Sequence, residues 1–219
     1  MVSLEASLRS LARLGFQPQR IVDVGAFQGD WARYAKKAFP RAEILMIEAQ
    51  DRMRAALEAT KDELGGGVDF HIALLGPAPA ESVPFYELET GSGVLFEQSS
   101  VTRNVVQIPM ETLDEVVKNF MPGGADFLKL DVQGYELEVL KGGTKVLKSA
   151  QAVVMEVSLL PVNRGAPLLH DVTHFMLGAG FVAYDICGLV RRPLDNALWQ
   201  IDLIFLKEGS ALRATVSYD

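Results

Sequence analysis

Residues 20–29 read Arg-Ile-Val-Asp-Val-Gly-Ala-Phe-Gln-Gly, a short apolar run that ends in a glycine turn. The run has the composition of a buried β-strand, and the segment after it, Asp30 to Phe39, has helical spacing and is stopped by Pro40. The same order, a short apolar run and then a longer amphipathic segment, repeats along the chain. This alternation predicts an α/β fold in which a mostly parallel sheet carries helices on both faces.

The predicted elements cover the chain and are interpreted as one domain, residues 1–219. Further strands are expected at Glu43–Glu48, Val68–Leu75, Asp126–Asp131, Ala152–Val157, Phe181–Ile186 and Leu198–Leu206. Helices are expected within residues 1–18 and at Arg52–Leu64, Glu111–Phe120, Tyr135–Leu147 and Leu168–Leu177. Between positions 76 and 110 the helical spacing stops and prolines and glycines separate short strand-like pieces, so this segment is interpreted as an insertion.

The composition and charge of the chain argue against a nucleic-acid-binding protein and a membrane-spanning protein. The chain is 49% hydrophobic, carries a net charge of −7 and has one cysteine. An acidic chain without a run of basic residues is a poor partner for nucleic acid, and a single cysteine fits a reducing compartment. The longest stretch without a charged residue, Val172 to Tyr184, is shorter than a membrane span of about 20 residues. We therefore expect a cytoplasmic protein with no membrane span.

Acidic residues lie in or near the ends of four predicted strands: Asp23, Glu48, Asp131 and Glu156. In an open parallel sheet, ligands bind beyond the carboxyl ends of the strands. Burying a carboxylate costs roughly several kcal/mol of folding free energy unless the group is paired or hydrogen-bonded. Four such residues at equivalent positions therefore indicate a binding or catalytic site rather than four separate helix caps.

The turn between the first strand and its helix predicts the cofactor. Its glycines are spaced Gly-x-x-x-Gly after Asp23, whereas a dinucleotide fingerprint is Gly-x-Gly-x-x-Gly. A carboxylate beside the turn suits a ligand with an ammonium group, and Glu48 lies where an acid accepts hydrogen bonds from ribose hydroxyls. These features favour S-adenosyl-methionine. The residues expected to contact it are Asp23, Gly25, Ala26, Phe27, Gln28, Gly29, Glu48, Ala49, Ala73, Asp131 and Val132.

Three motifs resemble the FkbM family of S-adenosyl-methionine-dependent methyltransferases. They are the turn Asp23 to Gly29, the triplet Thr112-Leu113-Asp114, and the block Leu128 to Gly142 that contains Leu-Lys-Leu-Asp-Val-Gln-Gly. The resemblance implies a Rossmann-like class I methyltransferase fold. This is a three-layer sandwich around a seven-stranded, mostly parallel sheet whose last strand is antiparallel. It also implies methyl transfer, usually to a hydroxyl oxygen of a sugar or natural product, with Asp131 facing the sulfonium. Phe27 departs from the family's usual turn residue, and Pro77 and Pro79 depart from the polar residues that often follow the third strand.

Methyl transfer to oxygen needs a group that removes the hydroxyl proton. Asp131 and Glu156 are the candidate bases, with His170 as a competitor on the segment after the fifth strand. The two acids would also suit a divalent cation, but we expect no metal site. The 76–110 insertion is expected to form the acceptor pocket, with Ser99, Ser100 and Arg103 contacting a small hydroxylated acceptor.

Two other functions stay open at this stage. One is a nicotinamide-dependent oxidoreductase, and the other is a nucleoside-binding scaffold without turnover. A scaffold has no need of two acids beside the methyl group, so Asp131 and Glu156 separate it from an enzyme. A homo-oligomer is compatible with the aromatic residues Trp31, Tyr184 and Trp199, which are interpreted as core or subunit-interface residues.

Overall fold

The computed structural model describes residues 3–88, 91–99, 101–215 and 217, which form two sheets and seven α-helices. The strands of the larger sheet are β1 Arg20–Val24, β2 Glu43–Glu48, β3 Val68–Ile72, β7 Phe127–Leu130, β8 Ala152–Ser158, β9 Phe181–Arg191 and β10 Leu198–Lys207. The helices are α1 Leu4–Arg13, α2 Asp30–Ala38, α3 Arg54–Leu64, α4 Leu113–Phe120, α5 Glu136–Lys141, α6 Thr144–Ser149 and α7 Leu169–Gly178.

The larger sheet has seven strands in the order β3-β2-β1-β7-β8-β10-β9. Every pair from β3 to β8 is parallel, and β10 is antiparallel to both of its neighbours. Two apolar cores pack against it, one containing residues of α4, α5, α6 and α7 and the other containing residues of α1, α2 and α3. The predicted three-layer α/β fold is therefore confirmed.

A second, three-stranded sheet forms from β4 Leu74–Leu75, β5 Ala80–Glu87 and β6 Asn104–Glu111, in the order β4-β6-β5. The prediction of one strand over Val68–Leu75 was wrong, because the chain leaves the larger sheet after Ile72. Leu74 then packs against Phe85 and Met110 in the core of the small sheet. The segment predicted as an insertion thus supplies two strands of a second sheet, and Leu75 of that sheet belongs to one of the two apolar cores.

Two helix predictions also differ from the structure. The helix predicted from Glu111 begins at Leu113, because Glu111 still belongs to β6 and the hydroxyl of Thr112 accepts a hydrogen bond from the Glu115 backbone N–H. The helix predicted over Tyr135–Leu147 is divided into α5 and α6 at two consecutive glycines. A Cβ at Gly142 would lie 2.1 Å from the Gly76 carbonyl oxygen, so the glycines admit a close chain crossing that interrupts the helix.

Within the part of the chain that the structure describes, none of the helices combines the length and the apolar character that a membrane crossing requires.

Candidate active site

Two adjoining cavities lie at the carboxyl ends of β1, β2, β7 and β8. The first cavity, of about 330 Å³, is lined chiefly by the turn after β1, the end of β2, residues 73–75 and residues 129–132. The second cavity, of about 520 Å³, is lined by residues 88, 91, 97 and 101 from residues 76–110, the small-sheet segment, and by residues 190, 199 and 200 from the β9–β10 hairpin. Asp131 and Glu156 line both cavities, so the wall between them is acidic.

The turn after β1 passes close to the chain after β7, and glycine makes that approach possible. Gly25 has φ +74°, and a Cβ there would lie 1.9 Å from the Asp131 carbonyl oxygen. Phe27, two residues on, adopts φ +49°, a left-handed conformation that is uncommon for a bulky residue. Such strain clusters at binding sites, where the surrounding structure holds it in place. Gly25 and Phe27 therefore form a turn that brings backbone to the wall of the first cavity.

Asp23 lies beneath this turn, fully buried, and does not line the first cavity. In the register of β1 and β7 it is directly opposite Lys129, whose ammonium is 3.1 Å from the Asp23 carboxylate. The same ammonium donates to the Gly25 carbonyl oxygen at 2.7 Å. Burial alone would lower the pKa of Lys129, but the charges of Asp23 and Asp131 reverse this effect and raise that pKa. Asp23 and Lys129 therefore form an ion pair that supports the turn from below.

Glu48 lies at the end of β2, is buried and lines the first cavity. One carboxylate oxygen accepts a hydrogen bond from the Phe27 backbone N–H at 2.8 Å, and the other accepts one from the Gln50 backbone N–H at 2.9 Å. These bonds fix the carboxylate between two loops. An ionised carboxylate has about four lone-pair sites, so Glu48 keeps acceptor capacity for the hydroxyls of a ligand.

Asp131 and Glu156 are joined by the side chain of Gln133. Its amide nitrogen donates to Asp131 Oδ1 at 3.0 Å and to Glu156 Oε2 at 3.1 Å. The backbone of Gln133 has φ +56°. Its backbone carbonyl oxygen accepts a hydrogen bond at 2.9 Å from the side-chain amide of the buried Asn163. Gln200 donates a further hydrogen bond to Glu156 Oε2 at 2.8 Å. The two acids are thus held at fixed positions by amide groups.

The two acids differ in their surroundings. The Asp131 side chain is 39% exposed and lies 3.8 Å from the Lys129 ammonium. Burial raises the pKa of Glu156 well above its ordinary value, and the nearby carboxylates of Asp131, Glu136 and Asp202 add to the rise. Burial likewise raises the pKa of Asp202, opposite Glu156 in the sheet, to about 6. Asp131 is therefore the more solvent-exposed acid of the pair, and Glu156 is the acid whose charged form burial disfavours.

The loop that carries Gln133 is fastened by Glu136 at the start of α5. Glu136 Oε1 accepts hydrogen bonds from the backbone N–H groups of Val132 at 2.9 Å and Gly134 at 3.1 Å. Burial raises the pKa of Glu136 to about 7. This residue acts on the loop and does not line either cavity.

Most of the residues predicted to contact the cofactor lie together in the wall of the first cavity. These are Gly25, Ala26, Phe27, Gln28, Glu48, Ala49, Ala73, Asp131 and Val132. Asp23 and Gly29 do not line it. Gly29 instead precedes α2 as its N-cap residue, with φ +80°, and packs so closely on Thr60 that a Cβ would lie 2.6 Å from the Thr60 methyl group.

The other predicted contacts lie elsewhere. His170 is at the start of α7 with its side chain 79% exposed, and it lines neither cavity. Arg103 lies 2.8 Å from Glu97 with its side chain 3% exposed, and it donates to Ser99 Oγ at 3.1 Å. Arg103 therefore bonds both Ser99 and Glu97, and neither Ser99 nor Arg103 lines either of the two cavities. Ser100 lies outside the described residues.

Sequence reasoning missed Lys129, Gln133, Trp199 and Gln200. The signal for Lys129 was present, since it is the one charged residue inside the apolar strand β7. Gln133 and Gln200 carried no such signal, because their roles depend on which strand ends meet in space. Among the described residues, no group of three or more His, Cys, Asp or Glu side chains is arranged to hold a metal ion.

Comparison with known proteins identifies curated relatives among methyltransferases. Methyltransferase sdnD of Sordaria araneosa is 28% identical over 153 residues, which are 56% of this chain and 59% of that protein. Hexuronic acid methyltransferase AglP of Haloferax volcanii is 34% identical over 91 residues, which are 36% of this chain and 38% of that protein. The matched part of this chain spans less than two thirds of either relative.

Comparison with solved structures finds the fold of this chain in a known O-methyltransferase. The O-methyltransferase TomG from Streptomyces achromogenes aligns with 93% of this chain and 79% of its own, with a TM-score of 0.54 and 15% identity. The profile of the Methyltransferase FkbM domain matches residues 23–183, which include the β1 turn, Asp131 and Glu156. This match confirms the predicted family and, with it, the family's cofactor, S-adenosyl-methionine. The chain belongs to the FkbM methyltransferase family.

Proposed function

We propose that this chain is an S-adenosyl-methionine-dependent methyltransferase that methylates a hydroxyl oxygen of a small acceptor, such as a sugar or a natural product. The observation that carries the proposal is the position of Asp131, which lines both cavities and is tied to Glu156 through Gln133. A group in the shared wall is within reach of a cofactor on one side and of an acceptor on the other.

The residues of the first cavity fit the cofactor. Apolar side chains from the small sheet, Leu74 and Phe85, offer a wall for a flat base, and the buried Glu48 carboxylate offers acceptors for ribose hydroxyls. Backbone of the β1 turn and the Asp131 carboxylate complete the cavity on the side that would receive the charged tail. The ion pair of Asp23 and Lys129 would hold that turn in place.

When bound, S-adenosyl-methionine supplies the methyl group: the new C–O bond forms as the C–S bond breaks, and the electron pair of that bond leaves with sulfur as a thioether. Asp131 would take the hydroxyl proton as the oxygen attacks. Gln133 would keep the Asp131 carboxylate oriented toward the acceptor, and the same amide would hold the Glu156 carboxyl group beside it. Much of the acceleration then comes from holding hydroxyl and methyl group in line.

Two observations support a small hydroxylated molecule as the acceptor. The second cavity adjoins Asp131 and has amide and carboxyl groups in its wall, which suit hydroxyl groups. One relative of this chain is named as a methyltransferase of a hexuronic acid, which is a sugar. A scaffold without turnover would have no use for the linked acids, and this favours the enzyme.

The test is transfer of a labelled methyl group by the variant Asp131→Asn. Asparagine keeps the shape of the side chain and an oxygen to accept the hydrogen bond from Gln133, but it cannot take a proton at neutral pH. We expect label transfer from S-adenosyl-methionine to a small-molecule extract to fall by about 100-fold or more, the usual size of a general-base effect. The Kd for S-adenosyl-homocysteine should rise by about tenfold at most, since no more than one hydrogen bond of about 1.5 kcal/mol or less is altered.

Asp62→Asn, an exposed position on α3, is the matched control and should transfer label as the unchanged protein does. Unchanged turnover in Asp131→Asn would contradict the assignment of Asp131 as base. Loss of cofactor binding together with turnover would show that Asp131 acts in binding instead.

A further inference from the structure

The second cavity has a distinctive charge pattern. Its ionisable lining residues are Glu97, Asp131 and Glu156, and among the described residues no Lys, Arg or His lines it. A buried anion is stable only with a cation or several donors beside it. An acceptor with a carboxylate or phosphate would therefore meet acidic side chains and no compensating cation.

Each of the three acids is already offset by the protein. The Glu97 carboxylate lies 2.8 Å from the buried guanidinium of Arg103, and Asp131 lies 3.8 Å from the buried ammonium of Lys129. The Glu156 carboxyl group accepts hydrogen bonds from the side-chain amides of Gln133 at 3.1 Å and Gln200 at 2.8 Å. The cavity thus offers no uncompensated negative charge for an amine either.

The remaining lining groups suit a neutral, hydroxylated ring. Gln133 and Gln200 bring amide groups that can donate and accept hydrogen bonds with hydroxyls. Leu88, Val101 and Trp199 supply apolar surface, and an indole ring offers a flat face for the C–H side of a ring.

We propose that the second cavity selects an uncharged, hydroxylated ring as the methyl acceptor and rejects anionic rings such as uronates and phosphorylated sugars. The inference rests on the proposed methyltransferase function and adds the charge of the substrate to it. It separates this chain from its relative AglP, whose name specifies a hexuronic acid.

The first experiment sorts acceptors by charge before the reaction. A small-molecule extract of the source organism is divided by ion exchange at pH 7 into anionic, cationic and uncharged pools. Each pool is incubated with the full chain and S-adenosyl-methionine labelled in the methyl group. Label is expected in products of the uncharged pool only. Label in products of the anionic or the cationic pool would overturn the inference and leave the methyltransferase function standing.

Absence of label from all three pools, with binding of S-adenosyl-homocysteine intact, would contradict the proposed function, and the inference would fall with it. The two failures are therefore distinguishable.

A second experiment tests whether this cavity is where the acceptor binds. Val101 lines the second cavity and Val105 does not, although both lie in the small-sheet segment and are 50% and 51% exposed. Val101→Trp would fill part of the cavity, whereas Val105→Trp adds the same ring outside it. With the acceptor purified from the labelled pool, we expect Val101→Trp to raise its Kd and KM by about tenfold, as small steric changes in a pocket do.

Val105→Trp should leave both constants unchanged, and neither variant should alter the Kd for S-adenosyl-homocysteine. Equal acceptor constants in Val101→Trp and the unchanged protein would place the acceptor elsewhere and overturn the inference. Circular dichroism of both variants checks that they fold.

Discussion

Glu136 shows how a single buried acid shapes the active-site loop and the pH dependence of stability. It is 2% exposed, and its Oε1 atom alone accepts the hydrogen bonds from the backbone N–H groups of Val132 and Gly134. Burial raises its pKa from an ordinary 4.5 to about 7. A group whose pKa is raised on folding stabilises the protein fully below its unfolded pKa, and this stabilisation is lost as the pH rises through the folded value.

The variant Glu136→Gln should therefore change the pH dependence of unfolding. Glutamine can place an oxygen where Oε1 lies and keep both backbone hydrogen bonds, but it does not ionise. We expect the free energies of unfolding of variant and unchanged protein to agree near pH 4. At pH 8 the variant should be more stable by about 3 kcal/mol, since one pKa unit is worth about 1.4 kcal/mol. Urea unfolding at several pH values measures this, and parallel curves across that range would contradict it.

At the level of single residues, the sequence predicted some of the residues that line the cavity but not others. Asp131 and Glu48 were found because acids at the ends of apolar strands are conspicuous, and the structure places both in the cavity wall. Asp23 carried the same signal but pairs with Lys129, and that pairing depends on the register of β1 against β7. His170 was placed near the site by its position in the chain, whereas the orientation of α7 turns it to solvent.

At the scale of elements, the triplet Thr112-Leu113-Asp114 joins two helices rather than contacting a ligand. Thr112 caps α4, and the Asp114 carboxylate accepts hydrogen bonds from the backbone N–H groups of Lys145 at 3.1 Å and Val146 at 3.0 Å at the start of α6. The motif thus satisfies the free N–H groups at the starts of both helices.

Thr112→Ala removes the cap of α4 without touching either cavity. We expect the free energy of unfolding to fall by about 1 kcal/mol, the usual cost of losing a threonine cap, with cofactor affinity unchanged. Thr173→Ala is the matched control, because the hydroxyl of Thr173 bonds carbonyl groups of its own helix, α7, and caps nothing. Urea midpoints of the two variants that agree with each other would show that the Thr112 hydroxyl is not a cap.

The small sheet is the part of the secondary structure that the sequence did not predict. Strands of the larger sheet are buried runs that can be recognised one at a time, as β1, β2, β7 and β8 were. The small sheet joins Leu74–Leu75 to Asn104–Glu111, segments far apart in sequence, and its stability comes from their mutual packing with Phe85. No local pattern reports that pairing, so the segment was recognised as an insertion and its sheet was not predicted.

At the scale of the whole molecule, strand order places the site. The chain runs outward from β1 to β2 and β3, and after the small sheet it returns to the other side of β1 with β7 and β8. The crevice between β1 and β7 is the point where strand order reverses, which is where open α/β sheets bind ligands. The first cavity lies at that point. Asp131, which directly follows β7, lines both the first and the second cavity. The cytoplasmic location and the oligomeric state stay predictions.

Binding of S-adenosyl-methionine in the first cavity through Glu48 is tested by calorimetric titration with S-adenosyl-homocysteine. We expect a Kd in the micromolar range and no binding of NAD. Glu48→Gln should weaken binding by about tenfold or more, because hydrogen bonds to a charged group are worth about 1.5–3 kcal/mol. Glu43→Gln, at the exposed opposite end of β2, should bind as the unchanged protein does. Absence of binding, or NAD binding as tightly as the thioether, would rule out the first cavity as an S-adenosyl-methionine site.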